Sequence, residues 1–364
     1  MCDKRKDQKV KKVAILGGGG TGCCFAAALT LRGFEVHLYE DKKYWNEHID
    51  GILKTGGIEV TGHDVTGFAR IASITDNLEE AIRDVDVIFV CRGAWRHLWL
   101  AEALKPLGHE GQTIILSAGN FGSIRIKQFL GMASPVVVGE MLGNIFPCRM
   151  IGDGKAIIAF PYGPKTVAAF PAKDNDKVVA AMSQFLMCSA AKNVFETALN
   201  VPNLVNHLAG SILNTCAIDR NPAFALYQDG LSEHVIDVQV AVENEKAQVI
   251  QAMGYMMVNH TGLCRQLVQY DKFPEKDAFR SLAGPDSMHH RYITEDASTG
   301  QSLIIDLAER LGIEMPVMKA LVLLASVINK CDFRADGLKL KDLGMGNLHT
   351  PEEINEFLYT GCVK

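Results

Sequence analysis

Val13-Ala-Ile-Leu16 runs directly into Gly17-Gly-Gly-Gly20-Thr-Gly22 and then into Cys23-Cys-Phe-Ala-Ala-Ala-Leu-Thr-Leu-Arg-Gly33. A short apolar run, a glycine turn and a segment of helical spacing make up the strand, turn and helix of a dinucleotide fingerprint, in the register Gly17-x-Gly19-x-x-Gly22. Gly17 permits the tight turn, Gly19 lets the backbone approach a pyrophosphate, and Gly22 lets the helix close on the sheet. Gly20 and Thr21 open that helix, whose bare N–H groups favour an anion. A second strand, Glu35-Val-His-Leu-Tyr-Glu40, ends in a carboxylate eighteen positions after Gly22, where an acidic residue takes the adenosine ribose hydroxyls. Asp41 follows it, and two carboxylates at that corner oppose a 2′-phosphate, which favours NAD; Lys42 and Lys43 leave NADP possible.

Outward from this stretch, helix and strand alternate. Residues 46–77 carry Gly56, Gly57 and Gly62 and read as extended segments joined by turns. Strands are expected at 85–91, 113–117, 135–139, 155–160 and 166–170, with a last one near 193–196; helices fall at 78–83, 98–107 and 176–187. The loop Ser117-Ala-Gly-Asn-Phe-Gly-Ser123 leaves the carboxyl end of a strand and is a candidate for the nicotinamide end. After Ala198 the strand signals stop and apolar residues recur at three and four spacing. The expected fold is therefore an α/β N-terminal Rossmann domain with a parallel, doubly wound sheet, residues 1–197, followed by an all-α C-terminal domain, 198–364, with the active site in the cleft between them.

At 364 residues the chain suits two domains, and 48% hydrophobic with 22% charged residues is globular. A net charge of −5 without a dense basic patch disfavours nucleic acid and anionic membrane surfaces as partners. The charged stretch from Met1 to Lys12 reads as a solvated lead-in with no apolar signal core, and Lys319 interrupts the longest apolar run. Ten cysteines without a CxxC pair read as buried reduced thiols of a cytoplasmic protein, not as a zinc site or disulfide framework. Cys23 and Cys24, at the fingerprint helix start, read as packing residues.

Hydride transfer also needs a group that moves a proton and a group that holds an anionic substrate. Asn203 and His207 stand four apart, on one face of the helix that opens the second half. Further on, Arg291-Tyr-Ile-Thr-Glu-Asp296 reads either as a polar loop with solvated acids before a helix or as a functional set. In the second reading Asp296 orients His207 and Arg291 grips a carboxylate; spacing alone does not bring these residues together.

The chain resembles the opine dehydrogenase family, which includes octopine and nopaline dehydrogenases and N-(1-carboxyethyl)norvaline dehydrogenase. The resemblance runs in order through the fingerprint, Gly139-Glu-Met-Leu-Gly-Asn-Ile-Phe-Pro-Cys-Arg149, Phe170-Pro-Ala172, Asn203-Leu-Val-Asn-His207, Glu245-Lys with Gly254, and Arg291-Tyr-Ile-Thr-Glu-Asp296. It implies that His207 is the catalytic histidine, Asp296 its orienting aspartate and Arg291 the carboxylate arginine, with Asn203 helping to orient substrate. It implies an NADH-dependent condensation of an amino acid with a 2-oxo acid such as pyruvate, in a monomer or homodimer. Leu208 stands where the family often has proline, and Ala297-Ser-Thr-Gly300 lacks the usual proline-containing sequence. The competing readings are a 2-hydroxy or 2-oxo acid dehydrogenase of the ketopantoate reductase or glycerol-3-phosphate dehydrogenase kind, and a non-catalytic NAD(H) sensor.

Overall fold

A computed structural model describes residues 10–63, 65–160 and 163–363. The charged lead-in falls largely outside them. The strands are β1 (Lys12–Leu16), β2 (Glu35–Tyr39), β3 (Ile58–Gly62), β4 (Gly67–Ala69), β5 (Ser73–Thr75), β6 (Val87–Val90), β7 (Thr113–Leu116), β8 (Val137–Met141), β9 (Cys148–Gly152), β10 (Lys155–Ile158), β11 (Lys165–Phe170) and β12 (Cys188–Ala190). Eight of them form one sheet in the order β12-β11-β8-β7-β6-β1-β2-β5, parallel except where β11 runs against β8. The chain enters at β1, builds outward through β2 and β5, then crosses back to β6 on the other side. That reversal puts the ligand crevice at the carboxyl ends of β1 and β6.

Register brings the site loops to one edge. Leu16 pairs with Tyr39 and Val90, and Val90 pairs with Leu116. Gly17, Glu40, Cys91 and Ser117 therefore leave the sheet side by side.

β3, β4, β9 and β10 form a separate four-stranded sheet that the sequence does not announce. The fingerprint helix Gly20–Leu31 packs between the two sheets, which explains its composition. A helix covered on both sides has no polar face to show, and Cys23, Cys24, Phe25, Ala26, Ala27 and Ala28 are fully buried. Burial pushes the Cys23 thiol above its ordinary range, and a hydrogen bond with Cys148 together with burial does the same to Cys24, so they are packing residues. The nine described cysteines are all unpaired, and no cluster of metal-ligating side chains occurs among the described residues.

Two local expectations are corrected. Residues 46–77 contain a helix, Glu47–Thr55, whose start is capped by Asn46 and whose end is closed by Gly56 at φ 74°; these are ordinary cap signals, hidden in a stretch read for its glycines. The last strand is β12, and 193–196 opens a helix instead, Val194–Leu199, because the Asn193 side chain accepts hydrogen bonds from Phe195 N and Glu196 N.

From there the chain is helical. Helix Asn203–Leu213 is buried through Ile212 and lies against helices Glu233–Ala252, Pro316–Asn329 and the turn 291–301. Its core is continuous with the first half, through Phe121 against Phe195 and Phe170 against Phe357. No helix among the described residues is long and apolar enough to cross a membrane.

A Cβ on Gly22 would fall on the Gly17 carbonyl oxygen. Gly22→Ala is therefore expected to lower stability by about 2 kcal/mol, read as an earlier urea midpoint, and to weaken dinucleotide binding.

Candidate active site

At the crevice the glycine turn offers bare backbone. A side chain on Gly19 would meet nothing within 4 Å, whereas one on Gly17 would strike the Cys91 carbonyl. Gly19, Gly20 and Thr21 line a cavity of about 170 Å³, together with Cys91, Arg92 and Gly93 after β6 and Ser117, Ala118 and Asn120 after β7. Arg291 and Glu295 close it from the helical half. The open turn, the helix start and the cavity fit the diphosphate of a dinucleotide.

Glu40 sits at the expected corner but is not a free acid. Its Oε2 accepts from Gly18 N at 2.8 Å and its Oε1 accepts from Arg92 Nη2 at 2.7 Å and Asp41 N at 2.9 Å. Arg96 Nη1 lies 3.6 Å from the same oxygen. The two-carboxylate repulsion read from the sequence is thus offset by two arginines, neither visible as part of the corner until β6 lies beside β1.

The loop after β7 is backbone-strained, with Ala118, Asn120 and Phe121 at φ 55°, 46° and 66°. Such conformations cost about 1–3 kcal/mol each and persist only where the surroundings hold them. Here Glu140 holds them from below: its Oε2 accepts from Ser123 N and Oγ, and burial pushes its carboxyl up to about 7. Gly119 packs directly on that carboxyl group.

In the helical half, His207 Nδ1 lies 2.7 Å from Asp296 Oδ2. Both residues are buried. Burial pushes the Asp296 carboxyl up to about 7, opposed by the charge of Arg291. Burial, then Arg291 and Arg149, hold the His207 imidazole well below its ordinary value. Both shifts have one origin, the cost of charge away from water. With Asp296 ionised, Nδ1–H donates to it and Nε2 keeps the free lone pair; Nε2 makes no hydrogen bond to any described residue. Arg291 is exposed and its guanidinium has no ion-pair partner among the described residues. Asn203, a turn before His207, is buried at the helix start.

Asp296 opens a π-helical stretch, Asp296–Gln301, which follows helix Arg291–Glu295. Ala297-Ser-Thr-Gly300 forms this wide turn: Gly300 lies against Leu204, and Gln301 Nε2 donates to Leu204 O at 2.9 Å. The departure from the proline-containing pattern therefore coincides with the turn that sets Asp296 against the histidine helix, a use π turns often have.

One residue read from sequence as a solvated acid is corrected. Glu295 is not a solvated charge: it is 8% exposed, and its Oε1 accepts from Ala94 N at 2.9 Å and Asn120 Nδ2 at 3.1 Å. It ties the helical half to both cofactor-side loops, a link across 201 and 175 positions that no local pattern signals. His97 is a packed residue bonded to Arg92 O, and His290 caps helix Arg291–Glu295 through Tyr292 N. Arg149, on β9, reaches across to Ala283 O and the Tyr292 hydroxyl and so joins the two halves.

Fold and site define an NAD(P)-dependent oxidoreductase with a dinucleotide half and a helical half. Residues 190–329 match the model of the NAD/NADP octopine/nopaline dehydrogenase alpha-helical domain, and 13–129 match that of ketopantoate reductase PanE/ApbA. The chain is 27% identical to an opine dehydrogenase of Arthrobacter sp. (strain 1C) and 26% identical to a vitopine synthase of Allorhizobium ampelinum, each match covering 93% of this chain and 96% of the relative. A solved structure of octopine dehydrogenase with NADH and pyruvate shares the fold at TM-score 0.69 and 19% identity, covering 96% of this chain and 98% of that one. Residues 190–329 thus carry the octopine/nopaline dehydrogenase helical domain, and over nearly its whole length the chain is similar to opine dehydrogenases, oxidoreductases acting on CH–NH groups.

Glu40→Ala would strand the buried Arg92 guanidinium without its counter-charge. It is expected to cost about 3 kcal/mol or more, seen as a lower thermal midpoint, with loss of dinucleotide binding.

Proposed function

We propose that this protein condenses an amino acid with a 2-oxo acid such as pyruvate and reduces the resulting imine, with residues 1–197 serving the cofactor and 198–364 the substrates. The observation that carries the reading is the buried His207–Asp296 contact at 2.7 Å, with Arg291 unpaired at the cavity beside it. The amine attacks the oxo-acid carbonyl, water leaves and a C=N bond remains. NADH supplies the hydride that turns this bond into a secondary amine. His207 moves the protons at Nε2, first to the departing oxygen and, in the reverse direction, from the water that attacks the imine. Asp296 fixes the tautomer and the direction of the ring. Arg291 takes a substrate carboxylate through its planar fork, and Asn203 orients the substrate.

Gly17, Gly19, Gly20, Thr21 and Gly22 would receive the diphosphate. Glu40 would meet the adenosine ribose through Oε2, whose one hydrogen bond from a described residue is that of Gly18 N. The Glu40 carboxylate at that position supports NAD, and Arg92 and Arg96 beside it leave room for NADP.

The test is NADH oxidation with pyruvate and an amino-acid pool, together and with each omitted. Oxidation that needs both supports the proposal, and splitting the pool names the amine. Oxidation with the oxo acid alone makes this a hydroxy-acid dehydrogenase, and binding of NADH without turnover supports a sensor. His207→Ala is expected to lower turnover about a hundredfold or more while leaving the NADH dissociation constant nearly unchanged; parallel loss of both would count against His207 as the acid–base group.

A further inference from the structure

A single hydrogen bond does not fix an imidazole. The Nδ1 contact to Asp296 sets one point of the His207 ring but leaves the ring free to roll about that axis, swinging Nε2 away from a reacting atom. The structure supplies a second restraint. The Tyr292 ring lies flat on the imidazole, with centroids 3.6 Å apart and planes 10° from parallel. Tyr292 is itself held at its far end, where Arg149 Nη2 donates to its hydroxyl at 2.9 Å. Arg149 is fixed in turn by Ala283 O and Cys148 O. The chain of contacts starts on β9 of the small sheet and ends on the face of the proposed acid–base group.

We propose that Tyr292 and Arg149 are positioning residues for His207: Tyr292 is a platform that fixes the plane of the imidazole, and Arg149 anchors the platform and weakens its attraction for a cation. This rests on the acid–base role proposed for His207.

The electrostatic part follows from the quadrupole of the ring. A phenol face attracts an imidazolium stacked on it, which would raise the basicity of His207 and hold it protonated. Arg149 draws on the phenol oxygen and adds its own positive charge, so the stack restrains the ring without favouring its charged form. The other charged and titratable groups around the imidazole are Asp296, Glu295 and Arg291 from the 291–296 turn, His290 just before it, and Tyr227, whose environment includes both Asp296 and Tyr292. Of the cations, Arg291 is the group assigned to substrate, so its contribution changes when a carboxylate arrives. Arg149 is bound to protein on every side named above, so its contribution persists through the cycle.

Oxidation of the opine needs Nε2 unprotonated, so its rate is lost as pH falls through the imidazole pKa, which lies below the ordinary value of about 6.5. Removing the Arg149 link raises that pKa, and the acid limb moves up.

The experiment uses the full-length chain with Tyr292→Phe, Tyr292→Leu, Arg149→Met and His207→Asn. The readouts are kcat and kcat/KM against pH in the oxidative direction, NADH binding by fluorescence, and the imidazole titration by NMR. The His207 signal, among 11 histidines, is identified by its loss in His207→Asn. Tyr292→Leu is expected to lower kcat about tenfold or more with NADH binding within about twofold of the parent. Tyr292→Phe keeps the stack and loses only the anchor, so its acid limb and NMR titration move up by about half to one pH unit, as they do in Arg149→Met. A Tyr292→Phe protein whose pH profile and titration match the parent overturns the electrostatic part, and a folded Tyr292→Leu protein with parental kcat overturns the platform. If His207→Asn keeps turnover, the acid–base reading itself fails; if it is inactive while the Tyr292 variants behave as the parent, only this inference fails.

Discussion

One turn of helix carries two buried carboxylates that face opposite ways, and the site depends on that division. Glu295 turns toward the dinucleotide half and accepts from Ala94 N and Asn120 Nδ2. Asp296, the next residue, turns inward to His207. Because the two side chains leave the same turn, the loops after β6 and β7 and the histidine helix are held in fixed relation. Arg291, four residues before Glu295, is then set at the cavity mouth by the same rigid piece. Buried carboxylates are costly unless their partners are in place, so the arrangement requires both halves to be docked.

The same economy governs the cofactor end. Glu40, Arg92 and the Gly18 amide satisfy one another below the glycine turn, and Glu140 supports the strained loop after β7 from within the sheet. Strain and buried charge concentrate where ligands are expected and are sparse elsewhere in the sheet, as pre-organised sites require. The thin second sheet has a part in this as well. It covers the outer side of the fingerprint helix, which can then be apolar all round, and its β9 carries Arg149 to the seam.

Much of the architecture was legible because it is written in local periodicity. Short apolar runs marked β1, β6 and β7, the first closed by Gly17 and the last by Ser117, and three- and four-residue spacing marked the helical half. The helix at Glu47–Thr55 was missed because turn residues around it outweighed its cap, and Val194–Leu199 because a short apolar run does not distinguish strand from helix. The candidate residues His207, Asp296, Arg291 and Asn203 came partly from spacing and partly from family resemblance. Glu295, Tyr292, Arg92 and Arg149 could not come from spacing, since each acts through a partner far away in the chain.

The sequence by itself determined the dinucleotide fold, the change from mixed to helical structure past the middle of the chain, and the types of group available for hydride and proton transfer. These follow from patterns a few residues long, in which backbone geometry and burial leave few choices. Only the tertiary structure decided which of those groups meet. The His207–Asp296 contact spans 89 positions and the Glu295–Ala94 contact 201, and such pairings depend on how the layers dock. The protonation of the pair was decided there too, because an imidazole pKa is set by the water it loses and the charges it gains, and both are properties of the packed seam.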